Sequence, residues 1–322
     1  MRRVLNYNKK WAFSKEATTV PTEMPKNWVW VNLPHTWNNI DGMDGENDYY
    51  RGVCYYANTV DKVEFLPKAD QYYLEFDGAN SSADVYVNGK HLVHHDGGYS
   101  TFRVNVTEEF NHAEKPLVVV AVDNSANDRV YPQMADFTFY GGLYRDVKII
   151  CVNESHFDLD YYGAPGLKVT PEIQGKDAKV EVEVFLAGAK EGQQLLYTIK
   201  AACGCVVDTK TVDAGQTKVT FDVKDVHLWH GRKDPYLYTC EVQLVEGEEV
   251  VDHVSTRFGC RTFHVDANEG FFLNGEHYPL RGVSRHQDKW GKGNALSNED
   301  HEEDMNLIYD MGANTIRLAH YQ

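Results

Sequence analysis

Two histidines near the end of the chain have the residue type and the position that a ligand-binding site requires. His286 follows the apolar segment Leu280–Ser284, and His320 follows the apolar segment Thr315–Leu318. If both segments are parallel strands, their carboxyl ends lie on one edge of a sheet, where ligands bind in α/β folds. The alternative is that both are ordinary loop histidines. The equivalent positions of His286 and His320 after their two segments favour a ligand-binding site.

The residues between these two segments predict the helix that a parallel pair of strands needs. Ser297 and Asp300 have the spacing of a capping box, an apolar stripe follows, and Gly312 ends the helix. A strand–helix–strand unit of this length implies parallel strands. Asn298-Glu299 resembles the acid/base pair of some glycosidases. It falls in the first helical turn, however, where acidic residues are favoured by the helix dipole.

Two basic side chains accompany the histidines and are predicted to support the site. Arg285 directly precedes His286, and Arg317 lies shortly before His320 in the next predicted strand.

Three other clusters offer weaker candidates for metal or thiol chemistry. The acidic loop 41–48 lacks the ligand spacing of a helical calcium-binding loop. His94 and His95 are adjacent on a predicted strand, so their side chains point to opposite faces and do not readily share one ion. Cys203 and Cys205 lack the further ligands of a zinc site. We predict no metal site in the chain and free thiols for its cysteines.

Composition excludes several classes of partner. The 322 residues carry a net charge of −16, which argues against nucleic acid and anionic membranes. No segment approaches the length of a membrane span, and the N-terminus lacks the apolar core of a secretion signal. We therefore expect a cytoplasmic protein. Its 20 tyrosines and 6 tryptophans suit both β-structure and sugar recognition.

The pattern of strands divides the chain into three predicted domains. Residues 1–152 contain many short alternating segments, including Gln71–Asp77 and a hairpin turn at Asn88-Gly89, and predict a jelly-roll sandwich. Residues 153–263 predict an immunoglobulin-like sandwich of about seven strands. Residues 264–322 predict the start of a parallel α/β domain. The predicted fold class is thus mostly β. The aromatic segment Asp128–Tyr140 is predicted to be a long loop with a functional role.

Several motifs resemble glycoside hydrolase family 2, in the same order along nearly the whole chain. They include Asp84-Val85-Tyr86-Val87-Asn88-Gly89, Gly141-Gly142-Leu143-Tyr144-Arg145, Leu228-Trp229-His230-Gly231, Arg281-Gly282-Val283 with Arg285-His286, and Ile316-Arg317 with His320-Tyr321. The resemblance implies a jelly-roll sugar-binding domain, an immunoglobulin-like domain and a (β/α)₈ barrel that hydrolyses β-glycosides with retention. Arg285-His286-Gln287-Asp288 and Ala319-His320-Tyr321 are most similar to β-galactosidases.

The resemblance also implies roles for single residues. His286 and His320 would hydrogen-bond the hydroxyls of a galactosyl ring, and Arg317 would lie beside the nucleophile. Asp136 would reach the sugar from the jelly roll, as would Asn47 or Asp48, although the spacing at Asn47 departs from the family pattern. No cofactor is expected in this chain. Magnesium and sodium are expected in a full-length enzyme, which we expect to be a homo-oligomer acting on a β-galactoside.

The reaction itself needs residues that the motifs do not supply. Retaining hydrolysis uses two carboxyl groups about 5–5.5 Å apart, and in the family both are glutamates on later barrel strands. We therefore expect the chain to be an inactive N-terminal fragment with a truncated barrel. A β-glucuronidase or β-mannosidase of the same family is an alternative, and a free-standing carbohydrate-binding module is another.

Overall fold

The computed structural model describes residues 1–41, 49–135 and 137–321, and most of its regular structure is β-strand, as predicted. The chain divides into two compact units. The first unit contains Arg3–Cys151, Ser284–Ile308 and Leu318–Gln322. The second unit contains Met1–Arg2, Val152–Val283 and Tyr309–Arg317.

Ten strands and two short helices form the body of the first unit within the described residues. The strands are β1 (Arg3–Asn6), β2 (Trp11–Ser14), β3 (Val29–Val31), β4 (Val53–Thr59), β5 (Gln71–Phe76), β6 (Ser82–Val87), β7 (Lys90–Asp96), β8 (Phe102–Asn105), β9 (Leu117–Asp123) and β10 (Val147–Val152). The helices are α1 (Lys62–Phe65) and α2 (Thr107–Asn111).

These strands form the predicted sandwich. One sheet has the order β1-β10-β5-β8 and the other has the order β3-β2-β4-β9-β6-β7. Side chains from both sheets, such as Trp11, Leu74, Val85, Val120 and Ile149, share one buried core. Burial of these apolar side chains is the main source of stability for such a layered fold.

Two details of the predicted strands were wrong. Gln71–Asp77 was expected to bury one face, but Tyr73 and Glu75 on the other face of β5 are buried too. Glu75 is tolerated because Arg103 and Lys148 bind it at 2.6 and 3.1 Å. Burial would raise the pKa of Glu75, but these two cations outweigh it and hold the pKa below its ordinary value. The sequence also predicts that Leu143–Val152 forms the last strand of the unit, but β10 begins only at Val147.

The body of the second unit contains a second set of antiparallel strands. They are β11 (His156–Phe157), β12 (Leu167–Gln174), β13 (Asp177–Val184), β14 (Leu186–Ala187), β15 (Gln193–Lys200), β16 (Val206–Asp213), β17 (Lys218–Val223), β18 (Tyr238–Glu246), β19 (Glu249–Phe258), β20 (Phe263–Asp266), β21 (Gly270–Leu273) and β22 (Glu276–His277).

Two of these sheets form the sandwich expected of an immunoglobulin-like domain. The sheets β12-β13-β17 and β16-β15-β18-β19 enclose a core that includes Val180, Tyr197, Phe221 and Val242. Inward and outward residues alternate regularly along β13, β17 and β18. The sequence alternation of Tyr236, Tyr238, Cys240, Val242 and Leu244 predicts a single strand, but β18 begins only at Tyr238. The physical reason is Pro235, which cannot donate a ladder hydrogen bond.

The last part of the chain contains a hairpin and then the predicted strand–helix–strand unit. β20, β21 and β22 form a small sheet, and Asn274 and Gly275 turn the chain with φ of 52° and 79°. The unit that follows consists of β23 (Gly282–Arg285), α3 (Asn298–Asp310) and β24 (Thr315–Leu318).

β23 and β24 are hydrogen-bonded to each other and run in the same direction. Asn314 donates its N–H to the carbonyl of Arg281 at 2.8 Å, and Ala319 donates to the carbonyl of Arg285 at 3.0 Å. Because both sequence numbers rise together, the strands are parallel.

The caps of α3 are those the sequence predicts. Asp300 accepts a bond from the N–H of Ser297 at 2.9 Å, and the Ser297 hydroxyl accepts one from the N–H of Asp300 at 3.4 Å. Gly312 follows the last turn with φ of 91°. None of the helices in the described parts of the chain has the length and apolar character needed to cross a bilayer.

Candidate active site

His286 and His320 lie together in the first unit, at the ends of the two parallel strands. Their ring centroids are 6.0 Å apart and the rings are nearly perpendicular. Phe137 packs against both, with centroid distances of 5.2 Å to His286 and 5.7 Å to His320. Both histidines are exposed. The spatial pairing that the sequence predicts is therefore present.

The aromatic segment 128–140 forms one wall beside this pair. The ring of Tyr131 stacks on Tyr99 at 4.9 Å, and Phe137 packs against Phe139 at 4.8 Å. Because aromatic rings offer flat apolar faces, such a wall suits the C–H face of a sugar or an aromatic substituent. Aromatic residues of this long loop thus line the space beside the two histidines, in agreement with the functional role that the sequence suggests.

Buried amide side chains fix the end of this segment. Gly141 donates its N–H to Asn38 at 2.7 Å, and its carbonyl accepts a bond from Thr36 at 2.7 Å. The amide of Asn80 donates to the carbonyl of Tyr140. A Cβ at Gly141 would lie 2.0 Å from the ring of Trp37, so only glycine fits this close approach.

Two adjoining depressions result from this arrangement. The first, which we call the histidine pocket, is lined by residues that include Tyr99, Phe137, His286, Asp288, Asn294 and His320. The second, the aromatic pocket, has a volume of about 530 Å³ and is lined by residues that include Tyr99, Tyr131, Phe137, Phe139, His320 and Tyr321. The two pockets share Tyr99, Phe137, His320 and Tyr321 as lining residues.

Polar groups in the histidine pocket are fixed donors and acceptors. Tyr140 donates its hydroxyl to Asp288 at 3.2 Å. Burial and then the charge of Asp288 raise the pKa of Tyr140, so the phenol stays protonated and serves as a donor. The side-chain oxygen of Asn294 is buried and has no hydrogen-bond partner among the described residues. An orphaned buried acceptor of this kind is costly unless a ligand or water donates to it.

Arg285 does not face the pocket but supports it from behind. Its side chain is buried and donates to Asp304 on α3 at 2.8 Å, to the hydroxyl of Tyr321 at 2.8 Å and to Nδ1 of His301 at 3.0 Å. Burial would lower the pKa of Arg285, but Asp304 and Tyr321 outweigh it and raise the pKa. Burial and the nearby Arg285 lower the pKa of His301, which keeps its ring neutral and able to accept.

The structure gives less information about the other predicted site residues. Arg317 lies in β24 and is exposed, and it is not among the described residues that line the two pockets. Asn47, Asp48 and Asp136 fall outside the described residues, so their roles stay predictions.

Glu299 and Asp300 serve α3, as predicted, and do not line either pocket. Asp300 is buried, caps the helix and binds Lys292 at 2.7 Å. The bonds from Lys292 and from the Ser297 backbone hold the pKa of Asp300 well below its ordinary value. Asn298-Glu299 is therefore part of the helix start and not an acid/base pair.

The two histidines considered as metal ligands make ordinary contacts, whereas residues 42–48 of the acidic loop fall outside the described residues. His94 binds Asp84 at 3.0 Å and Asp96 at 3.1 Å, whereas the ring of His95 stacks on Phe102 at 4.2 Å. The two histidines thus diverge, as the strand geometry predicts. Within the described residues, no group of three or more potential ligands is arranged to hold a metal ion.

Sequence reasoning missed several residues that line the histidine pocket. Asn80 and Asn294 are isolated asparagines in loops, and nothing in their local pattern separates them from turn residues. Tyr99 follows Gly97-Gly98, which marks a turn but not a ligand contact. The one signal that could have pointed to Asn80 is its position between two strands with apolar residues, because an asparagine buried there needs hydrogen-bond partners.

The fold agrees with the family that the chain matches. Models of glycosyl hydrolases family 2 match in three parts: the sugar binding domain at residues 39–153, the family-2 domain at residues 165–261 and the TIM barrel domain at residues 264–322. The chain belongs to glycoside hydrolase family 2. Members of this class are glycosidases, and the match to the barrel model begins within β20.

Individual relatives carry two different activities in their names. A β-glucuronidase of Bacteroides fragilis is 38% identical over 90% of this chain and 43% of its own length. A β-galactosidase of Thermoanaerobacter pseudethanolicus is 29% identical over 98% of this chain and 44% of its own length. The crystal structure of an FMN-binding β-glucuronidase from Facaelibacterium prausnitzii L2-6 has a TM-score of 0.92 at 39% identity, covering 100% of this chain and 49% of that one. The chain thus spans about half the length of these relatives.

Proposed function

We propose that this chain forms the sugar-binding side of the active site of a retaining β-glycosidase, and that the sugar is a β-glucuronide. The observation that carries the proposal is the pairing of His286 and His320 against Phe137, at the carboxyl ends of two parallel strands. Ligands of barrel enzymes bind at this end of the strands. Both imidazoles present nitrogens that bond sugar hydroxyls.

The polar lining suits recognition better than cleavage. Asp288 is the one carboxylic acid among the described residues that line the two pockets, and Tyr140 already donates to it. Retaining hydrolysis needs a second carboxyl group about 5–5.5 Å from the first. The chain spans about half the length of its relatives, so this proposal assigns the acid/base and the nucleophile to the part of the enzyme that the chain does not match.

Asn294 belongs to the same recognition surface in this proposal. Its buried oxygen has no partner among the described residues and lines the histidine pocket. A sugar hydroxyl that donates to this oxygen removes the cost of leaving it unsatisfied, which is about 1–3 kcal/mol for a buried polar group.

The choice of a glucuronide rests on the relatives and corrects the preference drawn from motifs. Arg285-His286-Gln287-Asp288 favours a galactoside, yet the more similar curated relative is a β-glucuronidase, at 38% against 29% identity. A uronate carboxylate is recognised by basic groups. No lysine or arginine is among the described residues that line the pockets, so this side of the site contacts ring hydroxyls common to both sugars.

A β-galactoside is the second candidate. It is favoured by the match of the Thermoanaerobacter β-galactosidase, which extends over 98% of this chain.

The test compares nitrophenyl β-glucuronide, β-galactoside and β-mannoside as substrates of the enzyme encoded by the complete reading frame. We expect kcat/KM for the glucuronide to exceed that for the galactoside by about 100-fold, because a buried charged contact differs by roughly 3 kcal/mol from a missing one. A preference for galactoside would replace the glucuronide by the second candidate. Failure to cleave any of the three would overturn the proposal.

A further inference from the structure

An exposed Cys-Gly-Cys turn in the second unit takes no part in the site described above. It connects β15 to β16 at the end of a hairpin, where Cys203 and Cys205 are both exposed. The other four cysteines, Cys54, Cys151, Cys240 and Cys260, are buried. The two exposed thiols are therefore the accessible ones among the six.

Backbone hydrogen bonds fix the shape of this turn. Ala201 donates its N–H to the carbonyl of Cys205 at 2.9 Å, and Gly204 donates to the carbonyl of Ala201 at 2.9 Å. Gly204 has a φ of 82°, a left-handed conformation that glycine adopts readily. The hydroxyl of Tyr236 accepts the N–H of Ala202 at 3.2 Å and anchors the turn to the neighbouring loop.

This shape brings the two thiols together. The N–H of Cys205 points to the sulfur of Cys203 at 3.3 Å. Donors aimed at a sulfur stabilise its thiolate, and the thiolate is the form that acts as a nucleophile. The pKa of Cys203 is accordingly lowered, first by the bond from the Cys205 thiol, whereas the same bond raises the pKa of Cys205.

A structural zinc site is not the explanation of this pair. Such a site needs four ligands, and no third or fourth ligand accompanies the pair among the residues that the structure describes. Two adjacent thiols of unequal acidity are instead the arrangement of dithiol exchange, in which one sulfur attacks and the other resolves.

We propose that Cys203 and Cys205 form a redox-active dithiol that exchanges with low-molecular-weight disulfides, with Cys203 as the attacking and Cys205 as the resolving residue. The Cys203 thiolate attacks one sulfur of the disulfide, which breaks its S–S bond and expels the first thiolate. The Cys205 thiolate then attacks the sulfur of Cys203, forms the internal disulfide and expels the second. The two protein protons end on the two released thiols, and the dithiol is oxidised as the small disulfide is reduced.

The internal disulfide is expected to be reversible. A bridge across a single intervening residue closes a small ring and departs from the relaxed geometry of disulfides. Strained, exposed disulfides have more oxidising potentials and are the labile ones. Reduction by a small dithiol should therefore restore the thiols fully.

The test treats the full chain with glutathione disulfide and follows products by mass spectrometry of the intact protein and its peptides. We expect the wild type to lose two hydrogen atoms and to form a Cys203–Cys205 bridge. Cys205→Ser should instead trap one glutathione on Cys203. Cys203→Ser should react about fivefold more slowly at Cys205, because it lacks the sulfur at which the N–H of Cys205 is aimed.

Three outcomes would overturn this proposal. They are stable glutathione adducts on both wild-type cysteines, equal rates for the two serine variants, and the absence of any reaction while the four buried thiols become reactive on denaturation. Unfolding curves of both variants serve as the control for folding. The outcome does not depend on glycosidase activity, so it stands or falls separately from the proposed function.

Discussion

The two sandwiches of this chain share the same kind of layer packing but differ in the residues that they bury. In the second unit, inward and outward side chains alternate along β13, β17 and β18 almost without interruption. In the first unit, Asn38, Asn80 and Asn124 are buried, and they hold irregular loops by side-chain bonds to the backbone. Regular alternation produces a stable scaffold, whereas buried amides position the loops that line the site. In our proposal, the first unit is therefore the region that carries recognition.

The largest predicted effect tests the scaffold side of this comparison. Phe221 is fully buried in the core of the second unit. Phe221→Ala should lower the free energy of unfolding by about 3–5 kcal/mol, because it removes apolar contacts and leaves a cavity. Denaturant unfolding measures this, with the exposed Val206→Ala as the matched control. A loss below 1 kcal/mol would show that this core contributes little.

The next prediction concerns pH and the first unit. Burial and then Lys15 lower the pKa of His35 to about 4, and its Nδ1 lies 2.8 Å from the hydroxyl of Tyr56. The unfolded chain binds a proton near the ordinary histidine value of 6.5, whereas the folded chain resists until about pH 4. Stability is therefore complete above pH 6.5 and falls by up to about 3 kcal/mol as the pH drops towards 4.

Measurement of unfolding free energy against pH checks this, with His35→Gln as the variant. The variant should lose the part of the slope that His35 contributes between pH 6.5 and 4. If the slope of unfolding free energy against pH is the same in the variant, groups other than His35 cause the acid sensitivity.

Loss of sugar contacts should affect activity and spare stability. In the complete enzyme, His286→Ala and His320→Ala should each lower kcat/KM by about 10- to 100-fold, because each removes a hydrogen bond worth about 1–3 kcal/mol. Both side chains are exposed, so the melting temperature should change little. The matched control is His253→Ala in β19, a histidine of the second sandwich. Equal effects of His253→Ala and His286→Ala on catalysis would remove the distinction between the two regions.

Replacement of Asn294 tests the orphaned acceptor. Asn294→Ala should weaken substrate binding by a smaller factor, about tenfold, because its oxygen makes one bond to the sugar in our proposal. It should also leave unfolding nearly unchanged, since the wild-type oxygen has no described partner to lose. A large loss of stability with unchanged KM would identify Asn294 as a purely structural residue.

The smallest expected effect concerns the cap of α3. Ser297→Ala should destabilise the first unit by about 1 kcal/mol, the usual cost of removing a capping side chain. Thermal unfolding measures it, with Ser255→Ala as an exposed control. A shift no larger than that of the control would mean that Lys292 and Asp300 alone fix the helix start.

The sequence predicted features that depend on local patterns and missed those that depend on distant contacts. The hairpin at Asn274-Gly275, the cap at Ser297 and the pairing of His286 with His320 follow from turn chemistry, helix spacing and the geometry of parallel strands. The burial of Glu75 was missed because its partners Arg103 and Lys148 are far away in the sequence.

The candidate site also contains residues that the sequence could not predict, because they meet only through distant contacts. Asn80 and Asn294 reach the histidine pocket from loops separated by some two hundred residues, and single asparagines give no local sign of such a meeting. Arg285 was predicted to support the site beside His286, but the sequence did not identify its partners Asp304 and Tyr321, to which it donates at 2.8 Å each. Only the three-dimensional arrangement identifies these partners.

The central claim is that this chain binds the sugar and that other residues cleave it. The direct measurement is hydrolysis of nitrophenyl β-glucuronide by the purified 322-residue polypeptide, shown to be folded by a cooperative unfolding transition, beside the enzyme from the complete reading frame. We predict turnover by the complete enzyme and none above background by the 322-residue polypeptide. Turnover by the 322-residue polypeptide alone would contradict the claim, because it would require a catalytic carboxyl pair within these residues.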